Sequence, residues 1–208
     1  GPLSANNGSA IELGAGSMVS FGGPVTLLNS SSLAVSAPVG VFQDSISAND
    51  SIIDLSQSRE VTFFQDFLAS QGADVFLGES MIEMKGDMIF DSATLSHGTA
   101  TITLSGTVLQ HIQAPEGFSL PRLLFQADSV LIETDATVDG AFDILSGVIS
   151  VMPSKILTVN SLTMTNGLLS VGDGSVFSVM GTVATSTNSS VQLGTDTRIT
   201  LNSPARTR

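Results

Sequence analysis

The chain has 208 residues, 42% of them hydrophobic and only 12% charged, with a net charge of −12. That hydrophobic share excludes a disordered tail, and the charged share, about half the usual quarter, is too small to clothe a set of surface helices. Seven Lys plus Arg exclude an electrostatic nucleic-acid footprint and argue against docking on anionic lipid; the lack of Cys removes disulfides, thiolate catalysis and zinc ribbons.

Gly1-Pro2-Leu3-Ser4 reads as the scar of a cleaved expression tag, and residues 5–208 as a single domain without a linker. No apolar run approaches the roughly eighteen residues of a membrane span, so direct membrane insertion is not expected. At the N-terminal side Ile11, Met18, Val25 and Leu33 start short apolar segments at near-even steps of 7, 7 and 8. The segment SREVTFFQDFLASQ at 58–71 has helical spacing on one face, but a strand reading keeps the repeat intact and is preferred. The beat then continues through Val61, Phe67, Val75, Met81, Met88, Leu95, Ile102 and Val108, with steps between 6 and 8. Segment 110–122, QHIQAPEGFSLPR, carries two prolines and little alternation, and predicts a loop protruding from one coil.

Beyond it, strand-starting apolar residues fall at Val148, Ile156, Leu162, Leu168, Val176, Val183, Val191 and Ile199. Every third member recurs at a step of 20 and then of 23: Val148 to Leu168 to Val191, and Ile156 to Val176 to Ile199. In the middle of the chain, Val61 to Met81 and Val75 to Leu95 repeat the shorter of the two steps. Steps this short suit strands of three to five residues joined by tight turns, and three strands per period are the arithmetic of a solenoid. The fold class is therefore all-β: a right-handed, single-stranded parallel β-helix, three strands and about 20–23 residues per coil. One coil cannot bury its inward side chains; stacked coils bury a continuous core. At the inter-strand spacing, nine or so coils make a rod of roughly 45 Å. Val148, Leu168 and Val191 are expected to stack inward on one face, and Ile156, Val176 and Ile199 on another.

The passages GLLSVGDGSVFSV and GTATITLSGTV resemble the repeats of parallel β-helix surface proteins, such as autotransporter passengers and filamentous-haemagglutinin-type adhesins. The resemblance is one of style over most of the chain, without a diagnostic motif, so it carries over no functional residue. It implies an exported protein of the cell surface whose faces and loops mediate adhesion.

Chemistry-bearing residues are sparse. The acidic series Asp128, Glu133, Asp135, Asp139 and Asp143 is the strongest candidate, because glycoside hydrolysis needs two carboxylates at a defined separation. Turn and solvent-facing positions account for it, as they do for Glu79, Glu83, Asp87 and Asp91. Gly172-Asp173-Gly174-Ser175 is half of a calcium nonapeptide turn, and one Asp is a poor hard-cation site. His97 and His111 lack metal-ligand spacing, and no serine sits in a Gly-x-Ser-x-Gly elbow. Catalytic, metal and cofactor sites are accordingly not expected. Eleven Phe without Tyr or Trp suggest rings stacked inside the coils rather than sugar platforms.

The expected function is a non-enzymatic extracellular adhesin or stalk module that meets a surface receptor, glycan or matrix component. The alternative is a polysaccharide lyase or glycoside hydrolase using the cluster Glu133 to Asp143, and a further one is a self-assembling coat or filament subunit. No amphipathic cap is visible at either end, and Pro204 blocks pairing after Ile199-Thr200-Leu201. A segment of a longer solenoid, or weak end-to-end self-association, is expected on that ground.

Overall fold

Short runs such as Val25-Thr26-Leu27-Leu28 and Ser32-Leu33-Ala34-Val35 alternate buried and half-exposed residues, as strands with one wet face must. Each run is too short to be stable alone, and each pairs in parallel with the run one coil away. A computed structural model shows the result: three parallel sheets forming a β-solenoid of about nine turns, with about 21 residues per turn. The structure describes residues 1–14 and 16–202, and among them every regular element is a strand. Pro204 lies outside the described residues. Leu3 and Ser4 belong to the first strand and pair with Val25 and Thr26.

The first face is a ladder of ten strands, from Leu3–Ala5 to Ser190–Leu193. Its inward column runs Val25, Ile46, Phe67 and Met88, one member per coil, then Ile112, Ile132, Val151 and Val171. The third face carries an aromatic column at its inner edge. Phe21, Phe42 and Phe63 stack with ring centroids 5.4 and 5.2 Å apart, and Met84, Leu104, Phe125 and Ile144 continue the line. These phenylalanines are inside the coils, as the composition suggests. Segment 58–71 forms the strands Glu60–Phe63 and Phe67–Ser70, not a helix.

The inward columns near the C-terminal end differ by one residue from the expected ones. Val148 pairs with Leu168 and then Ser190, while Ile149, Leu169 and Val191 form the column beneath them. Ile156 pairs with Val176 and Val176 with Arg198, and Leu157, Phe177 and Ile199 form their inward neighbours. Ile149, Leu169, Leu157 and Phe177 are buried, whereas Ile156 is 47% exposed. The cause is a pair of apolar residues at each strand start, Val148-Ile149, Leu168-Leu169 and Val176-Phe177. Period-2 geometry buries only the second of them, together with the residue two further on. In the middle of the chain, Val61 stacks on Ile82 rather than Met81, while Val75 and Leu95 do pair.

Segment 110–122 is also different from its expectation. It contributes the strands Leu109–Gln113 and Ser119–Leu120, with Ile112, Ala114, Phe118 and Leu120 buried. Only residues 114–118 make a turn. Pro115 and Pro121 fall between strands, where no ladder N–H is required.

A fault in the stacking nevertheless passes through this level. On the first face the step from Met88 to Ile112 is longer than the step from Phe67 to Met88 in the coil before it. Leu109–Gln113 touches the preceding strand only through Ile112 and Gln113, yet pairs with the following one through Leu109 to Ile112. On the second face, the five-stranded ladder from Ala10–Leu13 ends at Thr94–Ser96, and Ser119–Leu120 pairs only with the next coil. On the third face the ladder is unbroken from Thr101–Leu104 to Arg122–Phe125.

Candidate functional site

Between the third and first faces the chain turns a corner in every coil. Residues 64–66 and 85–87 make this turn in three residues, but residues 105–108 take four. Seven residues separate the paired positions Leu104 and Ile112, against three between Met84 and Met88, so Leu109 to His111 overhang the strand below. Val108 and Leu109 project as a result, 67% and 47% exposed. A groove of about 660 Å³ lies along the three corners, with Phe64, Val108 and Leu109 as apolar walls and Asp66, Glu83, Lys85 and Asp87 as polar ones.

Its floor is bare because the corners are tightly stacked. A Cβ on Gly106 would stand 2.6 Å from the Lys85 carbonyl oxygen, and one on Gly86 would collide with the Gln65–Asp66 peptide. Side chains are thus excluded where two backbones approach, and this leaves an open trough. Gln110 fastens the floor from inside. Fully buried, it accepts from Gly106 N–H at 2.8 Å and donates to the carbonyls of Met84 and Gly86 at 3.0 and 2.7 Å. A buried amide is tolerated only when satisfied in this way.

The carboxylates of the groove also order the corners. Asp66 Oδ1 accepts from Asp87 N–H at 2.9 Å, and Asp87 Oδ1 from His111 N–H at 2.8 Å. Glu83 accepts from Ser105 Oγ at 2.8 Å and lies 3.7 Å from the Lys85 ammonium. Lys85 in turn sits 4.1 Å from the centre of the Phe64 ring. Among the described residues it is the only cation in a groove that contains three carboxylates.

The acidic series singled out in the sequence does not converge. Glu133 is bound by His111 and Gln113, and Asp135 caps the Ile156 N–H at 2.9 Å. Asp139 accepts from Ser119 and faces His97 at 3.6 Å. Asp143 is buried on the third face and takes two hydrogen bonds from Arg122, at 2.9 and 2.6 Å. Each of these carboxylates thus has its own partners, on different parts of the coil. Ser119 donates to the carboxylate that His97 also faces, so the imidazole does not serve it as a base. Asp173 accepts from Thr195 N–H at 2.7 Å and shapes its turn. Among the described residues no group of three or more His, Asp or Glu is placed to hold a metal ion, and no helix is long and apolar enough to cross a membrane.

Glu133 is held below its ordinary value of 4.5, chiefly by the hydrogen bond from His111, with burial opposing and Gln113 assisting. A depressed carboxylate contributes stability that is present above its unfolded value and lost as pH falls through its folded one. Replacing His111 by Phe should move the Glu133 titration upward towards 4.5, as followed by carboxyl carbon NMR. An unmoved titration would show that the imidazole is not the cause.

Glu83 and Asp87, noted in the sequence as turn and solvent-facing acids, both line the groove, but neither the groove itself nor the Gln110 stitch is legible in the sequence. The signal for the groove is Val108-Leu109-Gln110, where two apolar residues precede an amide. No protein-family model, curated protein or solved structure matches the chain.

Proposed function

We propose that this protein is a non-enzymatic binding module of the cell surface or extracellular space, in which a solenoid rod presents the groove at its faulted corner to a partner. The observation that carries the reading is local. At the level of Leu109–Gln113 a strand is paired out of step with the coil before it, and there the solenoid exposes Val108 and Leu109 beside a preformed trough. Departures from a regular repeat are where function is commonly housed, since packing alone favours keeping the period. Convergent carboxylates would support the polysaccharide-cleaving alternative, and those of Glu133 to Asp143 are held apart by separate partners.

The test uses pectins, alginates and a panel of glycans incubated with the protein. No new reducing ends or unsaturated products are expected over prolonged incubation. Turnover that is lost in Asp139→Asn or Asp143→Asn would overturn the reading in favour of the enzyme.

A further inference from the structure

We infer that the groove binds an extended, basic peptide segment in which Arg or Lys alternates with apolar residues; the inference rests on the binding role proposed above. Three features of the groove, taken together, select this occupant. Its length is set by three successive corners, roughly 10 Å along the rod, about the span of three residues of extended chain. Its charge is net negative, with one amine against three carboxylates. Asp66 and Asp87 each use Oδ1 on a backbone N–H, and their Oδ2 atoms have no hydrogen-bond partner among the described residues. Its apolar wall, Val108 and Leu109, lines the same groove as those carboxylates and would be covered by the aliphatic neighbours of a basic side chain.

The mode of binding is already displayed by the protein itself. The Lys85 ammonium lies over the Phe64 ring at 4.1 Å and 3.7 Å from Glu83, so an aromatic face and a carboxylate are arranged around a primary amine. An incoming Lys or Arg finds the same arrangement and competes with Lys85 for it. Lys85 thus acts as an internal competitor, and its removal strengthens binding. That sign distinguishes this occupant from an acidic or neutral one, for which loss of the groove's cation would weaken binding or leave it unchanged.

Binding is read by fluorescence anisotropy with the labelled pentapeptide Leu-Arg-Leu-Arg-Leu, and with Leu-Glu-Leu-Glu-Leu and Ser-Arg-Ser-Arg-Ser as comparisons. The first should bind measurably and the other two at least about tenfold more weakly. Lys85→Ala should tighten it by about fivefold, the scale of one partly exposed charge. Asp66→Asn with Asp87→Asn keeps the oxygens that accept the two N–H groups and should weaken it by about tenfold. Glu12→Gln with Glu116→Gln removes the same charge elsewhere and should change little. Val108→Ser with Leu109→Ser should abolish the difference between the Leu- and Ser-containing peptides. Equal loss in the Glu12/Glu116 control would show general attraction to an acidic rod and overturn the inference, as would weaker binding in Lys85→Ala. Binding of a glycan that needs Val108 and Leu109, with no binding of the peptide, would also overturn it while leaving the proposed binding role standing. Cleavage of a glycan would remove that role itself.

Discussion

Phe177→Asp is expected to destabilise the protein by more than about 4 kcal/mol, while Val176→Asp, one residue earlier, costs less than about 1 kcal/mol. Phe177 is 2% exposed and stands in register between Leu157 and Ile199. Truncating a buried phenylalanine costs about 3–5 kcal/mol from lost transfer and cavity terms. Aspartate adds the penalty of a carboxylate without a partner in an apolar stack. Val176 points outward and lies directly opposite Arg198 on the next coil, so an aspartate there gains a cross-strand partner of opposite charge. Urea unfolding followed by circular dichroism measures both. A larger loss for Val176→Asp than for Phe177→Asp would mean that this end of the solenoid is built in the other register.

Gln110→Leu is expected to cost about 3–5 kcal/mol although it replaces a polar core residue by an apolar one of similar volume. The leucine fits, but it strands Gly106 N–H and the Gly86 carbonyl, both of which the amide satisfies, and leaves the Met84 carbonyl with only its bond from Ser105 N–H. Leaving a buried donor or acceptor without a partner costs about 1–3 kcal/mol each. Gln110→Glu offers Gly106 an acceptor but no donor for the two carbonyls, so it should be intermediate or worse. Unfolding midpoints and amide exchange at Gly106 report the outcome. A loss below about 1 kcal/mol in Gln110→Leu would show that water or a shift of the corner replaces the amide.

These two residues also mark what could be read from the chain in advance. The coil period was legible because buried apolar residues must recur once per coil on each face, whatever the turns between them. Steps such as Val75 to Leu95 therefore coincide with real pairs. The register at Val148-Ile149 and Val176-Phe177 was not, because either of two adjacent apolar residues satisfies the pattern and the choice between them is made by the pleat. Segment 110–122 was misread for a related reason: its prolines signal turns, and they do sit between strands, but Gln110 occupies an inward position that polarity disguises. The groove was still less accessible. It arises from the mismatch between two pairings of one strand, one at Ile112 and Gln113 and the other at Leu109 to Ile112, and neither is visible until the coils are stacked. Of the carboxylates from Glu133 to Asp143, the sequence shows only their proximity along the chain. Their separate partners follow from the coil, which sends residues a few positions apart to different faces.

The missing ladder on the second face has a mechanical meaning. A rod bound by three ladders around its circumference resists bending in every direction. At the level between Thr94–Ser96 and Ser119–Leu120 it is bound by two, and on the third side His97 and Asp139 face each other at 3.6 Å. The coils below and above this level are then two stiff beams joined by a one-sided flexure, with the first and third faces as its hinge plate. The groove between those faces crosses that plate at its corner. Tension along the rod would open the second face first, and a load applied there would be felt as compression at the groove, so the same fault that makes the trough also places it at the pivot.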